Sequence, residues 1–378
     1  MHRTVPVFLA VRELRFARAR FALMGAVIAL IAVLMVLLSG LSQGLVRDGV
    51  SGLQQLPVTS LAFSHGVAHD AAFTRSVITL DTVDSWSRQA GVAQAAPFGS
   101  ALINARSSSG VEIDLALFGV DPGSFLAPKV ATGSPLAAPD GIVVSSTAAD
   151  AGLRLGDTVT VDRLGTRLTV VGVLAEQHTF GHVDVAYLPL EAWQAIHAGA
   201  GPGEPLSDRA RQEITAVAVR GDDVDLAAGD AAAGTESMTL SESYGASPGY
   251  TAETSTLTLI QVFLYLICAL VAGAFFTVWT IQRKHELAVL RALGAPTGYL
   301  LRDGLAQALI LLLAAAAVGI GAGVGLGSLV GGGVPFALDV QAVAVAAALL
   351  VGLGVTGAAV AIARIAAVDP ATALGGNR

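Results

Sequence analysis

His178 and His182 stand four residues apart in EQHTFGHVDVAY, with Asp184 two positions further on. Histidines at i and i+4 on a helix can share a metal ion. Gly181 and the flanking β-branched residues argue against a helix here, so a turn between two strands is the competing reading. His65 and His69 in SHGVAHD repeat the spacing with as little support. No serine, histidine and acid stand at a recognisable hydrolase spacing, and Ser107, Ser108 and Ser109 lack an oxyanion motif. A membrane-anchored metalloenzyme built on His178 and His182 is the one enzymatic reading these residues offer. The single cysteine, Cys268, lies in an apolar run, which excludes a disulfide framework and a cysteine-based metal site within one chain. The two lysines, Lys129 and Lys284, lie outside any G-x-x-x-x-G-K-[ST] context, so the chain has no phosphate-binding P-loop. If its work requires ATP, another polypeptide must bind it.

These residues are carried by a chain of 378 that is 53% hydrophobic and 13% charged, with 43 glycines. Its mean hydropathy is +0.67. Soluble proteins carry roughly a quarter charged residues, so the membrane class comes first. Four apolar runs, 21–45, 257–280, 304–330 and 340–363, predict membrane-spanning helices. Runs of this length cross a hydrocarbon core of about 30 Å at about 1.5 Å per residue. None contains Asp, Glu, Lys or Arg. An ion-coupled carrier handles its coupling charge on ionisable groups inside the membrane, so that class is disfavoured. No interrupted, repeat-related helices point to inverted repeats. Ser39, Ser42 and Gln43 close the first run, and Gln261 and Tyr265 are polar members of the second. The third run carries two interleaved glycine series, Gly319/Gly323/Gly327 and Gly321/Gly325, whose spacing suits close helix contact as well as general glycine enrichment.

Residues 1–20 hold five arginines and a weak apolar stripe, which predicts an amphipathic helix on the membrane surface. A signal peptide is the rival, but the following run is too long and no A-x-A-like site follows it closely. Residues 46–255 hold 24 acidic against 11 basic residues. They read as an α+β domain with strands near 58–64, 76–80, 101–105, 111–120, 142–145, 158–161, 167–174 and 214–220. Helices are expected near 81–89, 146–151 and 190–197. The stretches 198–211 and 221–237 read as loops.

Between the second and third runs lies 281–303, IQRKHELAVLRALGAPTGYLLRD. Leu287, Leu290 and Leu293 fall on one face of a short helix, with Gly294 placed as its C-terminal cap and Pro296 just beyond. The segment carries Arg283, Lys284, His285, Arg291 and Arg302. Basic residues also mark the N-terminal segment and the tail (Arg364, Arg378), while 331–339 has none. The positive-inside rule therefore places both termini and 281–303 in the cytoplasm, and 46–255 outside. With no ATP site and no intramembrane charge, 281–303 is the expected entry point for energy.

Gln282, Arg283, Glu286, Ala288, Arg291, Ala292, Leu293, Gly294 and Ala295 match a motif, Q-R-x-x-E-[LV]-A-[VL]-[LK]-[RK]-A-L-G-A, that resembles the permease subunits of MacB/FtsX/LolC-type ABC transporters. Asp369, Pro370 and Leu374 resemble the family's ending, and the order of spans agrees over nearly the whole chain. The surrounding words look closest to the HrtB-like, haem-exporting branch of Gram-positive bacteria. The resemblance implies a type VII ABC permease: four transmembrane α-helices with a large extracytoplasmic α+β domain between helices 1 and 2. It implies a plasma-membrane homodimer working with two copies of a separate ABC ATPase, which would hold ATP and Mg. No cofactor is expected on this chain, and no nucleic-acid partner. Arg283, Glu286, Leu287, Leu290, Arg291, Leu293 and Gly294 would form the coupling segment seated on the ATPase. ATP-driven closure would move the outside domain by mechanical transmission. Met35, Gln43, Met238, Glu242, Tyr244, Tyr250 and Glu253 are the candidate cargo residues, with haem as best guess. The alternative is a transmembrane transmitter that regulates an outside partner protein and carries no cargo.

Overall fold

Apolar sequence becomes helix in a membrane because every backbone N–H and C=O must be bonded within the segment. The computed structural model describes residues 18–282, 296–329 and 335–366, together with Val289 and Gly294. It contains four long helices, α1 (Arg18–Gln54), α2 (Tyr250–Gln282), α3 (Thr297–Gly327) and α4 (Val340–Ala366). Each is long and apolar enough to cross a membrane. The chain divides into two compact units, one of residues 45–254 and one of the remainder.

Two helices outrun their apolar runs. The 37 residues of α1 continue nine positions past 45, and the 33 of α2 begin seven before 257. At about 1.5 Å per residue these are about 55 and 50 Å of helix, well beyond a core of about 30 Å. Helix α3 also starts seven residues earlier than expected, so Arg302 and Asp303 lie inside it. Pro296 precedes its first turn with φ −69°, a backbone angle proline holds without strain. The predicted surface helix at 1–20 lies almost entirely outside the described residues.

In the helical unit, small residues set the spacing. A Cβ on Gly319 would come 2.3 Å from the carbonyl oxygen of Ala29, and one on Gly323 2.8 Å from Val36. The interleaved Gly321 and Gly325 meet nothing within 4 Å. One glycine series thus seats α3 on α1 and the other does not. Helices α2 and α4 cross as closely, with Gly357 against the Ala269 carbonyl. Ile28, Cys268, Phe276, Ala308, Leu312 and Ala358 fill the space between the four helices.

The 45–254 unit is built on an eleven-stranded mixed sheet. Its strands run in the order Thr235–Thr239, Ser60–Ser64, Ala216–Gly221, Val92–Ser107, Glu112–Val120, Val183–Pro189, Gly141–Val144, Arg167–Leu174 and Val130–Gly133. Thr158–Val161 and Thr179–Phe180 join off this path. The last turns of α1 belong to the sheet's core, where Val50 and Leu53 are fully buried beside Phe118, Phe180 and Val185. On another face, the helix Leu190–His197 drops Trp193 onto the cross-strand pair Gly99 and Gly119. A Cβ on Gly99 would fall 2.3 Å from that indole, and one on Gly119 2.4 Å from the Trp193 Cβ.

Several stretches differ from expectation. Residues 221–237 are no loop: Leu226–Ala233 is a helix and Thr235–Thr239 an edge strand. Asp225 caps that helix through a bond from the Ala228 N–H, and Gly234 ends it at φ +66°. Those caps and the alanine content are helix signals. The loop 198–211 runs into a helix, Asp208–Gln212. The central strand Val183–Pro189 was absent from the expected set, because a strand covered on both faces shows no alternation. The short edge strand Val130–Gly133 was missed as well.

Replacing Gly119 by valine forces a branched side chain into the Trp193 ring. Overpacking of this kind costs about 1–3 kcal/mol. A lowered thermal midpoint of the purified full chain is expected; an unchanged midpoint would show that the indole can move aside freely.

Candidate functional site

The C-terminal half of α1 presents Met35, Ser39, Ser42 and Gln43 on one face, since positions three and four apart are neighbours on a helix. The start of α2 presents Thr258, Gln261, Val262 and Tyr265 at the same spacing. With Asp339, Gln341 and Val345 at the start of α4, these residues line a cavity of about 460 Å³. That size suits a small organic molecule. Hydroxyl, amide and phenol groups make one part of its wall, and Met35, Val262, Val345 and Leu349 the apolar part.

The approach to α4 is held in place by packing. The Phe336 ring lies against both Gly40 and Gly327, where a Cβ would come within 2.3 and 2.7 Å of it. The Ala337 N–H donates to the Gly40 carbonyl at 3.0 Å. Asp339 then caps α4, accepting from the N–H groups of Gln341 at 2.6 Å and Ala342 at 3.3 Å. Its negative charge at a helix N-terminus is favourable. Among the described residues it is the one charged side chain lining the cavity. The arrangement can hydrogen-bond the polar end of an amphipathic molecule and hold its apolar body. Met35 and Tyr265 also offer thioether and phenol groups of the kinds that ligate haem iron.

Of the residues singled out from the sequence, Met35 and Gln43 meet in this cavity. Met238 is buried in the sheet core at 2% exposure. Glu242 forms a capping box with Thr239 on a short helix. The Tyr244 and Tyr250 rings meet edge to face at 6.3 Å, and Glu253 faces His182. Of the coupling residues, Arg283, Glu286, Leu287, Leu290, Arg291 and Leu293 lie outside the described residues. Gly294 stands in a turn at φ +91°, a conformation suited to the cap expected there. Thr258, Asp339 and Gln341 escaped the sequence reading as site residues. The signal for Thr258 was available, as it continues the polar spacing of Gln261 and Tyr265.

The histidine pair does not form a metal site. Thr179–Phe180 and Val183–Pro189 make a hairpin whose two-residue turn is Gly181 and His182. His178 and His182 diverge from it. No group of three or more metal-ligating side chains occurs among the described residues. His178 Nδ1 lies 3.2 Å from the Tyr187 hydroxyl. Burial lowers the His178 imidazole to about 4, opposed in part by Glu176. Burial also raises the Asp184 carboxyl, against bonds from Thr147 and Ser145 that lower it. His182 turns the other way. Its Nδ1 lies 2.9 Å from Asp48 Oδ2 and its Nε2 3.1 Å from Glu253 Oε2. His69 pairs with Glu236 at 2.7 Å on the exposed surface.

The family profile described as a MacB-like periplasmic core domain matches residues 21–233. The profile of the FtsX-like permease C-terminal region matches 258–370. A Staphylococcus epidermidis protein provisionally named as the hemin transport system permease protein HrtB is 23% identical over 370 residues, covering 98% of this chain and 99% of its own length. An uncharacterized ABC transporter permease of Mycobacterium tuberculosis is 25% identical over 374 residues, covering 98% and 99%. Among solved structures, the periplasmic region of MacB from Actinobacillus actinomycetemcomitans is 15% identical and covers 50% of this chain and 92% of its own, with a TM-score of 0.35. The extracellular domain of the ABC-type transporter YknZ from Gram-positive bacteria is also 15% identical, covering 48% and 98% with a TM-score of 0.34.

His178 carries a stability prediction. Its folded value lies below the ordinary histidine value, so the unfolded chain takes up the proton first. Stability contributed by the neutral ring is present above about pH 6.5 and declines as pH falls toward 4, by on the order of 2 kcal/mol after solvent screening. Asp184 acts in the opposite sense as pH enters the carboxylate range. His178→Asn is expected to flatten the fall in thermal midpoint between pH 6.5 and 4.5. Equal slopes for both proteins would contradict the assignment.

Proposed function

The chain belongs to the ABC transporter permease family defined by a MacB-like periplasmic core and an FtsX-like C-terminal region, and from that membership we propose that it is the membrane subunit of an ATP-driven exporter of an amphipathic molecule. The observation that carries the proposal is the cavity of about 460 Å³ lined by both polar and apolar side chains of α1, α2 and α4. Haem is the first candidate cargo. Relatives spanning the full length carry hemin-transport names. Met35 and Tyr265 are the lining residues chemically suited to its iron.

The chain contains no P-loop, so hydrolysis belongs to a separate ATPase. The working unit is two copies of this chain with two of that ATPase. Both termini and 281–303 face the cytoplasm, by the distribution of Lys and Arg. Arg283, Glu286, Leu287, Leu290, Arg291, Leu293 and Gly294 receive the push, and the spans pass it to the outside domain.

Two experiments separate the parts of this reading. Leu290→Asp or Arg291→Asp is expected to abolish co-purification of the ATPase; retained association would remove the coupling assignment. Ser39→Trp, which fills the cavity, is expected to stop export while the ATPase stays bound. Undiminished export would place the cargo path elsewhere, and a chain that regulates an outside partner without any export would be the transmitter instead. For haem, the purified chain should show a Soret band, with affinity reduced roughly tenfold in Met35→Ala or Tyr265→Phe, a change of about 1.4 kcal/mol.

A further inference from the structure

Asp48 lies on the last turns of α1 and Glu253 on the first turn of α2, both within the 45–254 unit. His182 stands between them. It occupies the second position of a two-residue hairpin turn, with φ +58° at Gly181 and +66° at His182. Positive φ at both positions is the type I′ geometry, which Asn, Asp and Gly adopt at least cost. Histidine is among the residues that tolerate positive φ, and here its ring also reaches beyond the turn. Both ring nitrogens meet carboxylate oxygens, Asp48 at 2.9 Å and Glu253 at 3.1 Å. The ring thus faces a carboxylate oxygen at each of its two nitrogens, one from each helix.

The hairpin is fixed to α1 without His182. The Gly181 N–H donates to the Gly49 carbonyl at 2.9 Å. The Thr179 N–H donates to the Ser51 hydroxyl at 2.9 Å. A Cβ on Gly49 would come 3.7 Å from the His182 ring, so α1 and the hairpin lie in direct contact there. The Ser247 hydroxyl, just ahead of α2, also donates to the Gly49 carbonyl at 3.0 Å, and the imidazole adds a side-chain link from the hairpin and α1 to Glu253 on α2 itself. We propose that His182 is a positioning residue for transport: it clasps the projecting ends of α1 and α2 so that they move the domain as one body. This rests on the reading of the chain as a permease driven by an ATPase.

His182→Asn tests it, because asparagine suits the turn but is too short to span both carboxylates. The first readout needs no cargo. Spin labels at exposed Arg47→Cys and Thr251→Cys, with Cys268→Ala removing the only native thiol, report the separation of the two helix ends in the full chain. A single narrow distance distribution is expected with His182, broadening with His182→Asn; an unchanged distribution overturns the clasp. The second readout is cargo exported per ATP hydrolysed by the reconstituted permease and ATPase. His182→Asn is expected to lower this ratio roughly fivefold or more while hydrolysis continues. Glu253→Gln should lower it likewise alone and add nothing beside His182→Asn. Additive effects, or an unaltered ratio, overturn the positioning role. Absence of ATPase association in the unmutated protein would instead overturn the permease reading, and the spin-label result would still decide the clasp.

Discussion

A peptide group in hydrocarbon finds no water to bond, and the molecule depends on that constraint. It makes the four apolar runs into unbroken helices. It also governs how a 210-residue domain can be inserted between the first two. The domain is entered and left as helix, in α1 and α2, whose terminal turns belong to the 45–254 unit. The surplus length of both helices follows. Polar residues on those extensions, among them Asp48, Ser51 and Glu253, find partners on the hairpin and sheet.

Close approach is the second theme, and glycine provides it in both units for different reasons. Between membrane helices apolar burial offers little drive, so contact area and backbone proximity hold the bundle. Gly319 and Gly323 supply them toward α1, and Gly357 toward α2. In the domain, hydrophobic burial does the work, and glycine instead makes room for a large ring. The facing pair Gly99 and Gly119 admits Trp193, and Gly229 admits Trp86. Gly40 and Gly327 combine the two uses, since the Phe336 ring they accept fixes the approach to α4 and hence one wall of the cavity.

The polar chemistry is divided between the units. The cavity holds neutral hydrogen-bonding groups and one carboxylate already engaged in capping α4. Such a wall can bind and release an amphipathic guest without holding it as a buried ion pair would. The carboxylate–imidazole–carboxylate contacts stand at the helix ends, in Asp48, His182 and Glu253. On the function proposed above, cargo contact and force transmission would fall to different residues of the same two helices.

The sequence by itself determined the membrane class, the four spans and the family, because apolar run length, charge distribution and a local motif are one-dimensional signals. Strands 158–161 and 167–174 and the helix Leu190–His197 were legible for the same reason: alternation, turn residues and helical spacing are local. Met35, Ser39, Ser42 and Gln43 were visible as polar or soft residues on one helix. That they share a cavity with Tyr265 and Asp339 was decided by the crossing of α1, α2 and α4, which no local pattern encodes. The tertiary structure also decided the fate of the histidines. An i,i+4 spacing is compatible with a metal site on a helix or with divergence on a hairpin. The choice fell to Gly181 and His182 adopting positive φ, and to carboxylates some 134 and 71 residues away in sequence. The ends of α1 and α2 were fixed in the same way, since only contact with the folded domain could say where the polar continuation of an apolar helix stops.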